Sequence, residues 1–233
     1  MPVQNIALHN LPLNVWRELE PHLRERQFLA GTVLFRPGEK VRHVLFMVSG
    51  VVSLVTPLAT GDIIEFAMIG RDGVVGGMAA LGNTDALYQA VVQVDGNGFA
   101  LETDVARRLV RDHEQVRSLL ARHEQFLLAQ AQQSSACNAS HNLDQRLSRW
   151  LLRVRDVTGS DTFRLTQEFM SEMLGVRRTS LTVVAGKFQQ AGWLSYVRGQ
   201  IKLERPDALE NRACECYEAV NSHYEVQFGA DQR

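Results

Sequence analysis

Short runs of apolar residues, separated by glycines and polar residues, fill the chain between residues 27 and 101. Valine, isoleucine and phenylalanine are frequent in these runs, and turn residues separate them at close spacing, which is typical of strands. Many short strands in succession predict a barrel or a jelly roll, a fold that encloses a cavity. The runs cover residues 27–29, 33–35, 44–48, 51–56, 63–69, 88–94 and 99–101.

Apolar positions follow a helical period on both sides of this β-region. Short helices are predicted near residues 13–23 and 104–112, and a long helix without proline or glycine at 114–137. The long helix carries an apolar stripe with polar interruptions, which makes it an imperfect coiled-coil seam. The stripe packs either on the β-region of its own chain or on a second copy, and we favour the second copy. The expected contacts between copies are Val116, Leu119, Leu120, His123, Phe126, Leu127 and Gln130.

Residues 165–194 predict two short helices joined by a tight turn. Thr166 is the expected N-cap of the first helix, and Met170 and Leu174 follow it at helical spacing. Gly175 stands where the chain must turn, because glycine easily adopts a left-handed conformation. The second helix has an apolar face and opens with a basic, hydroxyl-bearing cluster. Since the first residues of a recognition helix reach base edges in the major groove, the pattern indicates a helix-turn-helix that binds DNA.

A β-hairpin is predicted directly after these helices, because residues 193–203 alternate between apolar and polar around Gly199. A hairpin in this place forms a wing whose polar side chains face phosphates. In the second helix, we expect arginines on guanine edges or phosphates and hydroxyl groups on bases or backbone. The candidate DNA contacts are Thr166, Gln167, Arg177, Arg178, Thr179, Ser180, Thr182, Arg198, Gln200 and Lys202.

Charge is unevenly distributed along the 233 residues, although the formal net charge is only -1. Residues 139–205 hold eleven Lys and Arg against six Asp and Glu, so positive charge concentrates around the predicted helix-turn-helix. No apolar run approaches the length of a membrane span, and the N-terminus has no signal-peptide pattern. We therefore expect a cytoplasmic protein with no membrane partner.

The pattern as a whole predicts an α+β chain in three parts. Residues 1–112 would form a β-roll sensor domain, 113–138 a dimerisation helix and 139–233 a winged helix-turn-helix domain, with a hinge at 138–141 and a helix at 143–157. The three cysteines cannot form a disulfide framework. A helix expected over 210–224 would point Cys214 and Cys216 to different faces, so we expect ordinary helix residues there and no metal site.

These features together resemble the CRP/FNR family of bacterial transcription regulators. The segment RPGEKVRHVLFMVSGVVSL is similar to the family's β-roll core, and LTQEFMSEMLGVRRTSLTVV is similar to its helix-turn-helix. The resemblance implies a homodimeric regulator, not an enzyme, that reads a near-palindromic DNA site and has RNA polymerase as a further partner. Arg178 matches the first position of the family's recognition motif, whereas Thr179 and Val183 replace its usual Glu and second Arg. The usual half-site of the family is therefore not expected.

The resemblance also bears on the effector that the β-roll would bind. Members that bind cyclic nucleotides hold the ribose with a Glu and the phosphate with an Arg. Here Gly77 replaces the Glu, and Leu87 or Tyr88 stands where the Arg should be. A buried cyclic phosphate without a cation is poorly compensated, so we do not expect cAMP or cGMP.

Other cofactors that occur in the family can be judged by whether their ligand residues are present. Iron–sulfur members need several cysteines, mostly near the N-terminus, and this chain has none before Cys137, which excludes such a cluster. Haem stays open, because Pro2, His43 and His123 are present but nothing in the sequence pairs them. We therefore predict no cofactor and leave the effector unidentified. A small-molecule or haem sensor with conditional or secondary DNA binding is the alternative function.

Overall fold

The β-region folds into two four-stranded antiparallel sheets that share one core. The computed structural model describes residues 5–82 and 85–229. The strands are β1 (Arg24–Phe28), β2 (Val33–Phe35), β3 (His43–Met47), β4 (Val51–Pro57), β5 (Ile63–Ile69), β6 (Val74–Val75), β7 (Gln89–Val94) and β8 (Gly96–Glu102). One sheet has the order β1-β8-β3-β6 and the other β2-β7-β4-β5, which confirms the predicted β-roll.

Strand β3 is buried on both of its faces. Leu45 and Met47 point into the core between the sheets, whereas Val44 and Phe46 join a second core formed with the surrounding helices. Because both faces are covered, the strand reads as a continuous apolar run and not as an alternation of apolar and polar residues.

Helices cover one side of the β-roll. Two of them, α1 (Ile6–His9) and α2 (Leu13–Leu19), precede the strands, and a 3-10 turn at Glu20–His22 follows α2. Helix α3 (Met78–Leu81) interrupts the strand order, and α4 (Thr103–Asp112) follows the last strand. No helix in the described ranges is both long and apolar enough to cross a membrane.

The long helix α5 (Glu114–Ser140) extends further than predicted. Residues 138–140, which we assigned to a hinge, are still helical, and the chain leaves the helix at His141 and Asn142. Asn142 caps the next helix, α6 (Leu143–Thr158): its side chain accepts a hydrogen bond from Gln145 N at 3.1 Å, and the Gln145 side chain accepts one from Asn142 N at 3.3 Å. This reciprocal cap fixes the start of α6, so the break between the helices is only two residues long.

The apolar stripe of α5 packs on its own chain, which corrects the residues predicted to contact a second copy. His123 Nε2 accepts a hydrogen bond from Val74 N at 3.0 Å, and Gln130 Oε1 accepts one from Met68 N at 3.3 Å. Both polar interruptions of the stripe thus satisfy backbone groups of the β-roll. All seven proposed contacts are buried within one chain: Val116, Leu119, Leu120, His123, Phe126, Leu127 and Gln130.

The C-terminal part begins with α6 and continues with a three-stranded sheet and further helices. The elements are β9 (Thr162–Arg164), α7 (Gln167–Met173), α8 (Arg178–Gln190), β10 (Leu194–Val197), β11 (Gln200–Leu203), α9 (Pro206–Arg212) and α10 (Cys216–Phe228). The sheet order is β10-β11-β9. Strands β10 and β11 form the expected hairpin, and β9 pairs with it as a third strand, which was not predicted. The single helix expected over 210–224 is wrong, because Ala213 ends α9 in an extended conformation and α10 begins at Cys216.

Helix α10 returns to the N-terminal part of the molecule. The ring of Phe126 on α5 lies 5.3 Å from that of Tyr224 and 6.2 Å from that of Phe228, measured between centroids. Val220 and Phe228 belong to the same buried cluster as α1, α2 and α4. The predicted boundary, which placed all of 139–233 with the DNA-binding domain, therefore does not describe where α10 packs.

The β-roll and the C-terminal part touch through α6. Trp150 Nε1 donates a hydrogen bond to Glu65 Oε1 at 2.7 Å, and the Arg153 guanidinium donates to the Asp72 carboxylate in a buried ion pair. Gly70 allows the close approach, because a Cβ atom there would lie 2.7 Å from Val157 Cβ. Burial raises the pKa of Glu65 to about 7, against the opposing effect of its hydrogen bonds from Ser53 and Trp150.

Candidate nucleic-acid interface

Helices α7 and α8 form a helix-turn-helix, as the sequence predicts. Thr166 caps α7, since its hydroxyl oxygen accepts a hydrogen bond from Phe169 N at 3.1 Å. Gly175 has a φ of +60° in the turn, and a Cβ atom there would meet Ile64 of the β-roll at 3.4 Å. The backbone conformation therefore favours glycine, whereas the contact with Ile64 would be an ordinary van der Waals contact.

The apolar face of α8 is buried and its opposite face is open. Leu181, Val184 and Phe188 share a core cluster with Met170 of α7 and Trp150 of α6. This packing orients the remaining side chains of the first two turns towards solvent. The exposed residues there are Arg177, Arg178, Thr179, Ser180, Thr182 and Val183.

Two predicted contacts on different helices are joined directly. Thr182 Oγ1 donates a hydrogen bond to Gln167 Oε1 at 2.8 Å and lies 2.9 Å from Arg178 O. This bond fixes the first residue of α7 relative to the open face of α8. The amide nitrogen of Gln167 is then turned away from Thr182, the orientation in which it could donate to a phosphate.

Arg146 supports the turn and was missed in the sequence analysis. Its guanidinium donates a hydrogen bond to the carbonyl oxygen of Leu174, the C-cap residue of α7. A carbonyl at a helix C-terminus has no partner within the helix, and a cation there also interacts favourably with the negative end of the helix dipole. Only tertiary structure reveals this role, because residues 146 and 174 are far apart in sequence.

The three predicted residues of the wing are all exposed, but they differ in whether an acidic side chain lies beside them. Arg198, at the tip, has a φ of 50° and is exposed, and Gln200 is exposed beside it. Lys202 is also exposed, but its Nζ lies 2.7 Å from Glu204 Oε2 and lowers the pKa of that carboxyl. Lys202 therefore offers phosphates a weaker net positive charge than Arg198 does.

The start of α8 also faces the β-roll of the same chain. A groove of about 450 Å³ runs between the β4–β5 hairpin and the helix-turn-helix, with Asp62 on one wall and Arg177 and Arg178 on the other. Burial raises the pKa of Glu172 in this groove, and Glu168 and Asp62 raise it further. The arginines thus lie beside acidic groups, which reduce the positive potential there.

The cavity that corresponds to the predicted effector site is small and apolar. Its volume is about 20 Å³, and among the described residues no Lys or Arg lines it. Glu124 of α5 lies close to Gly77, since a Cβ atom on Gly77 would be 3.0 Å from Glu124 Oε1. Burial raises the pKa of Glu124 to about 7. Burial also raises the pKa of Tyr88, and the nearby Glu124 carboxylate raises it further. The lining residues are Phe35, Val41, Gly76, Met78, Ala79, Asp85, Ala86, Leu87 and Tyr88.

The two described residues that were considered as haem ligands, His43 and His123, lie on different elements, β3 and α5. His123 is buried on α5 with its Nε2 hydrogen-bonded, and burial lowers its pKa to about 4. His43 lies half-buried at the start of β3. Pro2 lies outside the described residues.

Two family models match the chain in separate regions. A cyclic nucleotide-binding domain matches residues 25–113, and a Crp-like helix-turn-helix domain matches residues 145–212. The first region contains the β-roll and α4, and the second contains α6, the helix-turn-helix, the wing and α9.

Individual proteins resemble the chain over most of its length. The Global nitrogen regulator of Synechococcus elongatus is 22% identical over 219 residues, which cover 89% of this chain and 99% of the relative. The structure of FixK2 from Bradyrhizobium japonicum has a TM-score of 0.71 at 16% identity and covers 82% of this chain and 98% of its own. A CRP/FNR-family transcriptional regulator from Thermus thermophilus has a TM-score of 0.64 at 22% identity, with 82% and 98% covered.

Proposed function

The chain belongs to the CRP/FNR family of DNA-binding transcription regulators, with a cyclic nucleotide-binding domain before a Crp-like helix-turn-helix, and from this we propose that it acts as a homodimer on a near-palindromic site. Helix α8 of each copy would enter the major groove with its first turn, and the wing would contact the flanking phosphates. RNA polymerase is the further partner that we expect.

The observation that carries this proposal is the exposed surface of the first two turns of α8. Two adjacent arginines and three hydroxyl-bearing residues stand open there, while the other face of the helix is anchored in the core. Arginine recognises guanine through two parallel hydrogen bonds, and hydroxyl groups donate to bases or phosphates. Arg178 is the residue that we assign to a guanine edge.

The face of α5 that remains open supports the homodimer. Exposed, uncharged side chains recur along this face at intervals of three and four residues, which is the spacing of a coiled-coil seam. Leu128, which is 59% exposed, lies at the middle of this stripe. We define the open stripe as Ser118, Ala121, Gln125, Leu128, Gln132, Ser135 and Ala139. It replaces the buried stripe as the proposed contact between copies.

We further propose that the β-roll does not bind a cyclic nucleotide. Ligand pockets of nucleotide size occupy roughly 300 Å³ or more, far above the cavity of about 20 Å³ between Gly76 and Tyr88. No Lys or Arg among the described residues lines that cavity, so a cyclic phosphate would find no cation there. The domain is therefore assigned a structural or differently sensing role.

Selection of bound sites from random duplex DNA tests the proposal. The full chain should enrich a site with two-fold symmetry whose half-sites lie one helical turn apart, about 34–36 Å. Its affinity for that site should fall steeply with added salt, since phosphate neutralisation releases counterions. Sedimentation of the complex should give two chains per duplex.

Three results would contradict parts of this proposal. Enrichment of no sequence above scrambled competitor would remove the specific DNA-binding function. One chain per duplex would remove the homodimer. Saturable binding of cAMP or cGMP, measured by calorimetry on the same preparation, would overturn the assignment of the β-roll.

A further inference from the structure

Four potential metal ligands meet at the junction of α5 and the C-terminal helices. They are Cys137 and His141 at the end of α5, Cys214 between α9 and α10, and Cys216 at the start of α10, and we call them the thiol cluster. One ligand atom of each residue lies within 4.8 Å of one atom of every other. Two segments of the chain that are far apart in sequence therefore converge on one point.

We propose that the thiol cluster is a closed, tetrahedral Cys3His binding site for Zn²⁺. Zinc in structural sites takes four such ligands, with Zn–S near 2.3 Å and Zn–N near 2.0–2.1 Å. The corresponding distances between neighbouring ligand atoms of a tetrahedron are about 3.5–3.8 Å. In the structure, Cys137 Sγ lies 3.6 Å from Cys214 Sγ, and Cys216 Sγ lies 3.5 Å from His141 Nδ1.

The backbone places the ligands in pairs that suit a small ion. Cys137 lies in the last turn of α5, and His141 is its C-cap, whose backbone N–H donates to Cys137 O at 3.0 Å, so both stand at the same end of the helix. Cys214 and Cys216 are separated by one residue in the connection between two helices, where the chain is not constrained to a helical spacing. Each pair thus presents two ligand atoms in one direction, and the two pairs face each other.

His141 is oriented by a carboxylate, as metal-bound histidines usually are. Its Nε2 lies 3.2 Å from Glu215 Oε1, which leaves Nδ1 turned towards the sulfur atoms. A carboxylate on the outer nitrogen fixes the tautomer and increases the basicity of the ligating nitrogen. Gln133 Nε2 also donates a hydrogen bond to Cys216 Sγ at 3.0 Å. These contacts are the surrounding shell that a metal site requires.

The charges around the cluster fit three thiolates and a divalent cation. Zn²⁺ with three thiolates and a neutral imidazole has a net charge of about -1. Arg146 and Arg149 of α6 interact electrostatically with Cys137. Their Nε atoms are buried without a hydrogen-bond partner among the described residues. A negatively charged metal centre would compensate both guanidinium groups, whereas three neutral thiols would not.

Burial argues for a closed site and against a reactive one. Cys137, Cys214 and Cys216 are 0%, 4% and 1% exposed. Catalytic metal sites keep one position open to water, whereas structural sites have four protein ligands and no open position. The ion would therefore tie the connection between α9 and α10 to the end of α5.

Metal analysis of the full chain tests this site. The protein is produced without added metal, purified under reducing conditions without chelator, and freed of any histidine tag. We expect about one Zn²⁺ per chain by mass spectrometry, and, after exchange, the visible ligand-field bands of tetrahedral thiolate-bound Co²⁺. His223→Ala, which removes an exposed histidine on α10, should retain both signals.

Two variants separate the site from folding defects. Cys216→Ser removes a ligand and should lose the metal. Glu215→Gln changes only an exposed outer-shell side chain, so the protein should fold and bind Zn²⁺ with an affinity about 10- to 100-fold lower in competition with a chromophoric chelator. The proposal would be overturned if the reduced wild-type protein contained no zinc and showed no ligand-field bands after addition of Co²⁺. A Cys137–Cys214 disulfide in rapidly alkylated extracts without zinc, or an iron–sulfide chromophore in anaerobic preparations, would also overturn it.

Discussion

At the scale of single residues, Arg178 is the side chain to which we propose to assign the largest part in reading the DNA sequence. It is the first residue of α8 and exposed, and its backbone oxygen is within hydrogen-bond distance of Thr182. Arg177, by contrast, has the extended conformation of an N-cap and precedes the first helical residue. We therefore assign base recognition to Arg178 and phosphate contact to Arg177.

Replacement of Arg178 by Ala should weaken binding to the selected site by about 1–3 kcal/mol and relax the preference at one base pair. The loss comes from the two hydrogen bonds that arginine makes to guanine. Competition binding against a set of single-base variants of the site measures both effects. Arg111→Ala, an exposed arginine on α4, should leave them unchanged. Equal weakening on every sequence would instead make Arg178 a phosphate contact.

Glu65 should make the stability of the protein depend on pH. Burial raises its folded pKa to about 7, so the folded state prefers the neutral carboxyl, and its stabilising effect is lost as the pH rises through about 7. Glu65→Gln keeps an acceptor for Trp150 but cannot ionise. The difference in free energy of unfolding, variant minus wild type, should therefore grow from pH about 5 to about 8 in urea titrations. A difference that is constant over this range would contradict the assignment.

At the scale of elements, α5 has two faces with different partners. One face satisfies the β-roll through His123 and Gln130 and packs on α10 through Phe126. The other is the open stripe around Leu128. A helix that is fixed along one side by its own chain presents the other side with little freedom, so two copies would meet with a defined geometry.

Leu128→Glu should weaken the homodimer, because it places like charges opposite each other across the seam. We expect the dissociation constant of the dimer to rise at least about 10-fold, which corresponds to about 1.4 kcal/mol. Analytical ultracentrifugation over a concentration series measures it. Val226→Glu, the same kind of change at a 78% exposed position on α10, serves as the control and should leave the dimer intact. A dimer that the change at 128 does not weaken would exclude the open stripe as the interface.

The sequence is sufficient for most elements but not for their packing partners. The strands and the helix-turn-helix can be predicted because apolar runs and helical periods are local features of the sequence. Strand β6 was missed because two valines between glycines are too short to show a period. The stripe of α5 was assigned to the wrong partner, since a period shows that a face is buried and not what covers it. Cys137 and Cys214 gave no joint signal, because 77 residues separate them.

At the scale of the whole molecule, the thiol cluster lies where the N-terminal and C-terminal parts meet. Cys137 and His141 end the long helix just before Asn142 caps α6. Cys214 precedes α10 and Cys216 is its first residue, and this helix packs back on α5. A bound ion would therefore restrain both the short break between α5 and α6 and the return of α10.

Removal of zinc from the full chain should lower its thermal midpoint. A ligand present at 100 to 1,000 times its dissociation constant stabilises the folded state by about 2.7–4.1 kcal/mol. For a chain of this size, that corresponds to a fall in Tm of roughly 5–15 °C. Calorimetry before and after chelation, with readdition of Zn²⁺ to restore the midpoint, is the measurement. A Tm that chelation leaves unchanged in the metal-bearing protein would contradict a structural role for the ion.

The return of α10 has a practical consequence for dissecting the molecule. Division of the chain at residue 139 would separate Val220 and Phe228 from the cluster that buries them. Each of the two fragments would then expose apolar surface. A fragment that stops at residue 212, where the second family match ends, would avoid this for the DNA-binding half only. The sensor half would still need α10 supplied in trans, for example as a synthetic peptide, to regain a closed exterior.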